Sequence, residues 1–337
     1  MISQTSNFRT IEKIYCLILK RRPDHEGLLH WVEFLNKERI SKMLRLFIES
    51  EEAKNIYGNE KIKIWSDLLK HFEKSPLSDH LLLFLINISY FARALKGDFR
   101  KNLYIIIGNF VLLLTGKIIS VNLFENKAYS QNGEDGILEA IFKKIGFLNR
   151  FCVEIGTEDA SECNSRYLIQ KYNLQYLMID GGNYPATFFE IKKEFVTAEN
   201  INEIMKKYKV PEEFDLLSID IDYNTFWIWK AINQKYRPRV VVVEYNGTLS
   251  CDESLAVKYD PLRMWDGKSN YFGASLLAFV KLAKEKGYTL IGCESKGVNA
   301  FFVRNDLRRH FLIRDYRKLY KKFASEYIPA KEEFIPY

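Results

Sequence analysis

The sequence predicts an α/β protein whose mostly parallel sheet is preceded by an all-α segment. Two observations lead to this prediction. Apolar residues recur at helical spacing over residues 8–57, whereas from residue 128 onward short apolar runs alternate with helical or loop segments. Runs of strand length that are apolar on both faces are typical of a parallel sheet covered by helices. The length of 337 residues agrees with about two domains.

The composition indicates a folded globular chain and narrows its partners. The chain is 47% hydrophobic and 28% charged, which excludes a largely disordered or low-complexity protein. The net charge is only +7, and 43 acidic residues are mixed with the basic ones. We therefore expect no nucleic acid partner. The five cysteines include no Cys-x-x-Cys pair, so we expect no zinc site or disulfide framework. Residues 1–10 lack the pattern of a signal peptide, and we expect a cytoplasmic protein.

Residues 1–60 are predicted to form a small helical domain. Apolar side chains from Ile11 to Leu19 lie on one face of a first helix. Pro23 ends that helix, and Asp24 can cap a second helix. A third helix is predicted over about 40–56. Taken alone, this pattern indicates a helical bundle without chemistry.

The same segment resembles a short helical bacterial domain of unknown function. The shared pattern is a helix with a tyrosine, a Leu-x-Arg-x-Pro-Asp-x-x-Gly turn, a helix with a tryptophan and a Ser-x-Glu ending. Its residues here are Tyr15, Leu19, Arg21, Pro23, Asp24, Gly27, Trp31, Ser50 and Glu52. Such domains often accompany glycan-modifying enzymes and surface proteins. The resemblance therefore implies a module for location or partner binding.

Residues 61–127 are predicted to be a helical, apolar connecting region. Its two most apolar runs cover residues 81–95 and 103–121. The second run has no charge before Lys117, but it is shorter than the ~20 apolar residues that a membrane span needs. A buried helix between domains is the favoured interpretation. Contact with a membrane surface is the main alternative.

Residues 128–305 carry the predicted sheet. Five apolar runs of strand length come first, and a four-residue link then joins two further runs, which must pair as an antiparallel hairpin. Five parallel strands followed by a hairpin suit the seven-stranded, Rossmann-like sheet of class I methyltransferases. They suit a nicotinamide-binding sheet less well. The runs are 151–156, 176–180, 194–198, 214–221, 239–245, 288–293 and 298–304.

Polar residues at the ends of the first two strands suggest a nucleoside site. Glu154, Gly156 and Asp159 follow the first strand, where a glycine lets the backbone approach a ligand. Asp180 ends the second strand, about 20 residues later, where a carboxylate can accept hydrogen bonds from ribose hydroxyls. So many carboxylates would repel a phosphate but tolerate the sulfonium of S-adenosylmethionine. An ordinary strand–loop turn is the competing interpretation.

The next two strand ends are acidic as well. Asp220 and Asp222 share one strand face, as do Glu244 and Asn246. Because neighbouring strands lie about 4.8 Å apart, Asp220, Asp222 and Glu244 could bind Mg²⁺ or another divalent cation. One carboxylate could instead be a general base with a raised pKa. A third interpretation is that some of them only cap helices or hold loops.

Several motifs in this order resemble FkbM-type S-adenosylmethionine-dependent methyltransferases. The likeness covers residues 126–305 and rests on the segments 130–137, 151–164, 177–182, 216–222, 227–232, 238–246, 271–276 and 297–304. It implies that Glu154 and Gly156 line the methionine end of S-adenosylmethionine and that Asp180 binds its ribose. The likeness also implies a set of residues near the cofactor, namely Gln131, Glu134, Asp159 and Asp220. It implies a second set around the reacting groups and the acceptor, namely Asp220, Asp222, Glu244, Asn246 and Asn299.

Two features bear on the acceptor. Tyr223 stands where relatives commonly have glycine, and Tyr223 and Tyr271 belong to an aromatic set that could pack on a sugar face.

Residues 306–337 are predicted to be a basic helix and tail that docks on the fold, with contact to anionic lipid or glycan as the alternative.

The sequence therefore predicts an O-methyltransferase that acts on a sugar hydroxyl of a bacterial glycan or glycolipid. Residues 128–300 carry 21 basic and 24 acidic residues, which suits a cationic cofactor. The basic flanks favour peripheral contact with the inner face of a membrane. A methyltransferase-like module for glycan binding or assembly at the membrane is the second hypothesis. An NAD-dependent sugar enzyme is the third.

Overall fold

The computed structural model describes residues 11–12, 14–19, 23–37, 40–57, 117–118, 120–184, 189–324 and 327–337. The chain divides into two compact units, Met1–Phe110 and Val111–Tyr337. The apolar run 81–95 and most of the run 103–121 lie outside the described residues. Within the described ranges, no helix has both the length and the apolar character that crossing a membrane requires.

The described residues of the first unit are mainly helical, as the sequence predicts. A π-helical turn, Tyr15–Leu19, precedes helices α1 (His25–Lys37), α2 (Ile40–Glu49) and α3 (Glu51–Tyr57). The predicted third helix is thus two helices. The break is at Ser50, whose Oγ accepts a hydrogen bond from the Ala53 amide at 3.2 Å and so caps α3. The rings of Tyr15 and Phe47, 4.8 Å apart, form part of the core.

The second unit is built on a seven-stranded sheet. The strand order is β3-β2-β1-β4-β5-β8-β7, in which β1 to β5 are parallel to one another and β8 is antiparallel to both β5 and β7. This topology confirms the predicted mostly parallel sheet with a terminal hairpin, which is consistent with a methyltransferase-like Rossmann fold. The strands are β1 (Phe151–Ile155), β2 (Gln175–Asp180), β3 (Ile191–Lys193), β4 (Glu213–Ile219), β5 (Arg237–Glu244), β7 (Tyr288–Cys293) and β8 (Asn299–Arg304).

The third strand differs from the prediction. Residues 194–198 were expected to form it, but β3 lies just before them. Pairing with β2 ends where the Glu194 amide donates to the Asp180 carbonyl at 3.0 Å. The chain then turns, because the Thr197 amide bonds the Asn200 side chain at 2.8 Å. Phe195 is left 46% exposed, which a strand buried on both faces would not allow.

Helices cover both faces of the sheet. Alternate strand residues enter two separate cores: Val153 and Val241 lie in one, Cys152 and Val240 in the other. Helices α6, α7 and α8 contribute to the first core, and α4 and α5 to the second. This arrangement explains why the strands are apolar on both faces. The helices are α4 (Glu134–Ile145), α5 (Arg166–Tyr172), α6 (Ile201–Lys207), α7 (Thr225–Ala231) and α8 (Leu276–Lys286).

A buried ion pair, Asp215 with Arg239, lies at the end of the sheet where β4 and β5 begin. The Asp215 carboxylate accepts hydrogen bonds from the backbone amides of Leu148 (2.7 Å) and Arg150 (2.7 Å), which precede β1. It also lies 3.2 Å from the Arg239 guanidinium. Arg239 in turn donates to the Ile145 carbonyl at 2.8 Å. The pair therefore fixes the link between α4 and β1.

The C-terminal segment is mostly extended, in contrast to the predicted basic helix. A 3₁₀ turn (Asn305–His310) and the single helical turn α9 (Tyr316–Leu319) are its helical parts. The described residues 320–324 and 327–337, here called the C-terminal strap, pass beside the loop that follows β5 and end in β9 (Ile335–Pro336), which pairs with β6 (Leu255–Ala256). A helix is not formed because tyrosine side chains bond to distant backbone instead. The Tyr320 hydroxyl, for example, donates to the Gly247 carbonyl at 2.9 Å.

Candidate functional site

Four predicted residues meet at one edge of the sheet. Gly156 follows β1, Asp180 ends β2, Asp220 follows β4 and Glu244 ends β5. The register aligns β1 with both β2 and β4, so that their carboxyl ends lie side by side. In open α/β sheets, this edge is where ligands bind. The topology thus brings together residues that are far apart in the sequence.

Gly156 is required by the chain itself. Its backbone has φ of +85°, and a Cβ there would lie 1.5 Å from the Asp220 carbonyl oxygen. The amide of Gly156 also donates to the Ile179 carbonyl at 2.9 Å. Glycine therefore lets the ends of β1 and β4 approach each other. Its predicted contact with a cofactor stays a prediction.

Asp180 joins the loops that follow β1 and β2. Its carboxylate accepts hydrogen bonds from the amides of Glu158 (2.8 Å) and Gly182 (2.7 Å). The side chain is partly exposed, and each oxygen has capacity for a second donor. Asp159 lies in the same loop and accepts a bond from the Ser161 amide at 2.8 Å. Its bonds to Ser161 lower the pKa of Asp159. The predicted contact of Asp180 with a ribose stays a prediction.

Glu154 has a structural role. It is buried and accepts bonds from the amides of Asn164 (2.7 Å) and Ser165 (2.9 Å), and also from the Ser165 hydroxyl. Burial raises the pKa of Glu154. These bonds hold the start of α5 against β1. Their geometry gives no direct support to the prediction that Glu154 lines the cofactor.

The first and last motifs meet at the same edge. Glu134 is buried at the start of α4 and accepts a bond from the Asn299 side-chain amide at 2.9 Å, while the Asn299 Oδ1 has no hydrogen-bond partner. Gln131 is exposed and accepts a bond from the Asn132 side chain at 3.0 Å. Asp135 accepts bonds from the three amides of residues 128–130, as a residue that orders a helix start would.

Asp220, Asp222 and Glu244 form the carboxylate cluster. Each offers an oxygen, and the three oxygens lie within 4.8 Å of one another. The Glu244 Oε2 is buried and has no hydrogen-bond partner. Oxygen ligands at this spacing fit a hard divalent cation such as Mg²⁺. Asp222 also has φ of +53°, a strained conformation that is often found at functional sites.

Burial and mutual repulsion make the cluster hard to ionise. Burial, together with the charge of Asp222, raises the pKa of Asp220 to about 7. Burial and the charge of Glu158 raise the pKa of Asp222. Burial, with the charges of Asp220 and Asp222, raises the pKa of Glu244 well above its usual range. The cluster therefore holds protons near neutral pH, which suits either a general base or a site that exchanges protons for a cation.

We expect the cluster to bind Mn²⁺ or Mg²⁺ more tightly as the pH rises. A cation binds the deprotonated carboxylates, so protons compete with it below the raised pKa of Asp220. Between pH 6 and pH 8 the affinity should increase roughly tenfold or more. Isothermal titration at pH 6, 7 and 8 measures this. Glu212→Gln, at an exposed position away from the cluster, is the control. An affinity that does not change with pH would contradict the expectation.

Three predicted acceptor residues are buried. The Tyr223 hydroxyl donates to the Lys258 carbonyl at 2.9 Å, and that of Tyr271 to the Glu333 carbonyl at 3.2 Å. Asn246 is fully buried and donates to the carbonyls of residues 270 (2.8 Å) and 272 (2.9 Å). These side chains hold loops together. Direct contact with an acceptor has no support in their geometry, because their polar atoms are already bonded within the chain.

Two residues of interest are not among those predicted. Thr157 follows Gly156, and its buried Oγ1 has no hydrogen-bond partner. Its place in the strand-end loop is a signal that could have identified it. Tyr327 lies on the C-terminal strap, and burial and the charges of Glu244 and Asp222 raise its pKa. No local pattern marks Tyr327, because its neighbours at the site come from distant parts of the chain.

The comparison with protein families gives a match to part of the first unit. Residues 2–57 match a family described as a domain of unknown function, DUF4214. This agrees with the predicted helical domain of unknown function. No curated protein matches the chain. The structure of the citrinin polyketide synthase CMeT domain is similar at 10% identity, covering 90% of this chain and 89% of that chain, with a TM-score of 0.32. A likeness of that size carries no argument, and the FkbM-type resemblance is not confirmed.

Proposed function

We propose that this chain is an S-adenosylmethionine-dependent O-methyltransferase for a sugar hydroxyl of a glycan or glycolipid. The observation that carries the proposal is the set of polar groups left without partners at one sheet edge. Thr157 Oγ1, Glu244 Oε2 and Asn299 Oδ1 are buried there without a hydrogen bond. Buried polar atoms without partners are rare in native folds unless a ligand, ion or water completes them. Asp180 at the same edge fits a ribose.

The donor set suits this cofactor better than a phosphate-bearing one. The carboxylates of Asp180, Asp220 and Asp222 would repel a phosphate and tolerate a positive charge. When bound, S-adenosylmethionine supplies a methyl group on a positively charged sulfur. Asp180 would hold the ribose hydroxyls, and the loop that contains Thr157 would lie beside the cofactor.

The carboxylate cluster would take the proton of the acceptor hydroxyl. Asp220 would accept the proton of the acceptor hydroxyl as its oxygen becomes methylated, and the cofactor would leave as S-adenosylhomocysteine. A base with a pKa of about 7 is well matched to neutral pH. Alternatively, Asp220, Asp222 and Glu244 would hold a divalent cation that makes the hydroxyl more acidic. In both cases, orientation of the hydroxyl supplies much of the acceleration.

Binding of S-adenosylhomocysteine tests the proposal. We expect isothermal titration to show saturable binding. Asp180→Asn should weaken this binding roughly tenfold or more, because the ribose hydroxyls would no longer donate to a charged carboxylate. Glu212→Gln is the control at a distant exposed carboxylate. If neither S-adenosylmethionine nor S-adenosylhomocysteine binds, with or without Mg²⁺, the proposal fails. Binding without transfer to any glycan would instead favour a non-enzymatic glycan-binding or assembly module. Contact with a membrane surface stays a prediction.

A further inference from the structure

Four aromatic rings form a continuous group beside the sheet edge. The ring of Tyr327 lies 5.4 Å from that of Trp265 and 5.8 Å from that of Phe272, and it stacks on Phe323 at 5.6 Å. Phe272 is buried, whereas Trp265, Phe323 and Tyr327 are partly exposed. We call these four residues the aromatic wall. Two of them belong to the C-terminal strap.

The strap passes directly over the residues that follow β5. The Tyr245 hydroxyl donates to the Lys321 carbonyl at 2.6 Å, and the Phe323 amide donates to the Gly247 carbonyl at 3.0 Å. Tyr245 follows Glu244 in the sequence, and Glu244 belongs to the carboxylate cluster. Burial and the negative charges of Glu244 and Asp222 raise the pKa of Tyr327. This direction agrees with a strap that passes close to the carboxylate cluster.

Glycines in the loops beside β5 and β8 make room for the strap. A Cβ added at Gly247 would lie 2.9 Å from the Phe323 Cβ, and one added at Gly297 would lie 2.5 Å from the Lys321 carbonyl oxygen. Side chains at these two positions would push the strap away from the edge. Its position is therefore part of the fold and not the loose docking of a tail.

The strap is also anchored after Tyr327. The Ile328 amide donates to the Lys268 carbonyl at 3.0 Å, and the Ala330 amide donates to the Asn270 side chain at 2.7 Å. Because both sides of Tyr327 are held, its ring has a defined position. Among the described residues, its hydroxyl has no hydrogen-bond partner in the structure.

We infer that the C-terminal strap forms one wall of the acceptor site and that Tyr327 is an acceptor-contacting residue that sets specificity. The inference rests on the proposed function. The partly exposed rings of Tyr327 and Trp265 would pack on the apolar face of a sugar, and the phenol would hydrogen-bond a neighbouring hydroxyl. The carboxylates of Asp222 and Glu244 would then receive the reacting hydroxyl. This arrangement gives the strap a role in substrate choice.

The test uses the full chain and an array of bacterial glycan fragments as acceptors. Transfer of labelled methyl from S-adenosylmethionine identifies the best acceptor, for which kcat and KM are measured in Tyr327→Phe and Tyr327→Ala. We expect Tyr327→Ala to raise KM at least about tenfold and Tyr327→Phe to raise it less, since the ring remains. Affinity for S-adenosylhomocysteine and the melting temperature should stay unchanged in both. Tyr316→Phe, on α9 outside the strap, is the matched control and should keep the wild-type KM.

Each other outcome overturns a defined statement. If Tyr327→Ala keeps the wild-type KM, the strap does not select the acceptor, although the proposed function stands. If S-adenosylhomocysteine binds and no glycan fragment is methylated, the proposed transfer to a sugar hydroxyl fails, and with it the acceptor site that the wall would line. If Tyr327→Ala weakens S-adenosylhomocysteine binding or lowers the melting temperature as strongly as it affects transfer, its role is structural. If the wild type binds no S-adenosylhomocysteine, the proposed function itself fails.

Discussion

Asp220→Asn is expected to lower methyl transfer about 100-fold or more, and at the same time to raise the melting temperature at pH 8. The variant keeps the shape of the side chain but cannot accept the acceptor proton or act as a charged metal ligand. Its effect on stability follows from the raised pKa of Asp220. The native state holds this proton up to about pH 7, whereas the unfolded chain releases it near pH 4. Stability therefore falls as the pH rises between those values.

Above pH 7, the wild-type cluster carries charges that repel one another in a buried place, and Asn removes one of them. We expect an increase of a few degrees in melting temperature at pH 8 and little difference at pH 4. Thermal unfolding at both pH values measures this, with Glu212→Gln as control. A divalent cation should stabilise the wild type more than the variant. A variant that loses transfer and also becomes less stable at pH 8 would contradict this account of the cluster.

Asp215→Ala is expected to lower the free energy of unfolding by about 3–5 kcal/mol. The change leaves the buried Arg239 guanidinium without its carboxylate and removes the acceptor of the amides of Leu148 and Arg150. Urea unfolding measures the loss. Asp252→Ala is the matched control, because Asp252 pairs with Arg317 at 2.6 Å and both side chains are more than half exposed.

An exposed pair of this kind contributes at most about 1 kcal/mol. The double variant Asp215→Ala with Arg239→Met should recover part of the loss, since the unpaired charge is then absent. A cost below about 1 kcal/mol for Asp215→Ala, equal to that of the control, would show that the ion pair does not hold the link between α4 and β1.

The features that local patterns encode could be predicted. Four of the five parallel strands and the hairpin follow from apolar runs and link lengths, whereas β3 precedes the run that was predicted for it. The placement of Gly156, Asp180, Asp220 and Glu244 at one edge follows from parallel strands, whose carboxyl ends coincide. The helical character of the first unit follows from its spacing, although the hydroxyl of Ser50 divides the last helix.

The features that depend on distant contacts could not be predicted. The basic tail has helical spacing, yet Tyr245, Gly247 and Asn270 hold most of it extended. Tyr223 is aromatic and next to the carboxylate cluster, but a bond to the Lys258 carbonyl keeps it buried. Nothing in the sequence around Tyr327 indicates that its ring packs beside Trp265 and Phe272. Such contacts depend on how loops cross the sheet edge, which local propensity does not specify.

The C-terminal strap is synthesised after the sheet, so its contacts form late during synthesis. A chain emerges from the ribosome from its N-terminus, and domains generally fold as units during synthesis. All seven strands of the main sheet have been made once Arg304 has emerged. The partner strand of β6 and the rings of Phe323 and Tyr327 come later. A nascent chain can therefore hold all seven strands of the main sheet before the strap residues that pack beside the loop after β5 have been made.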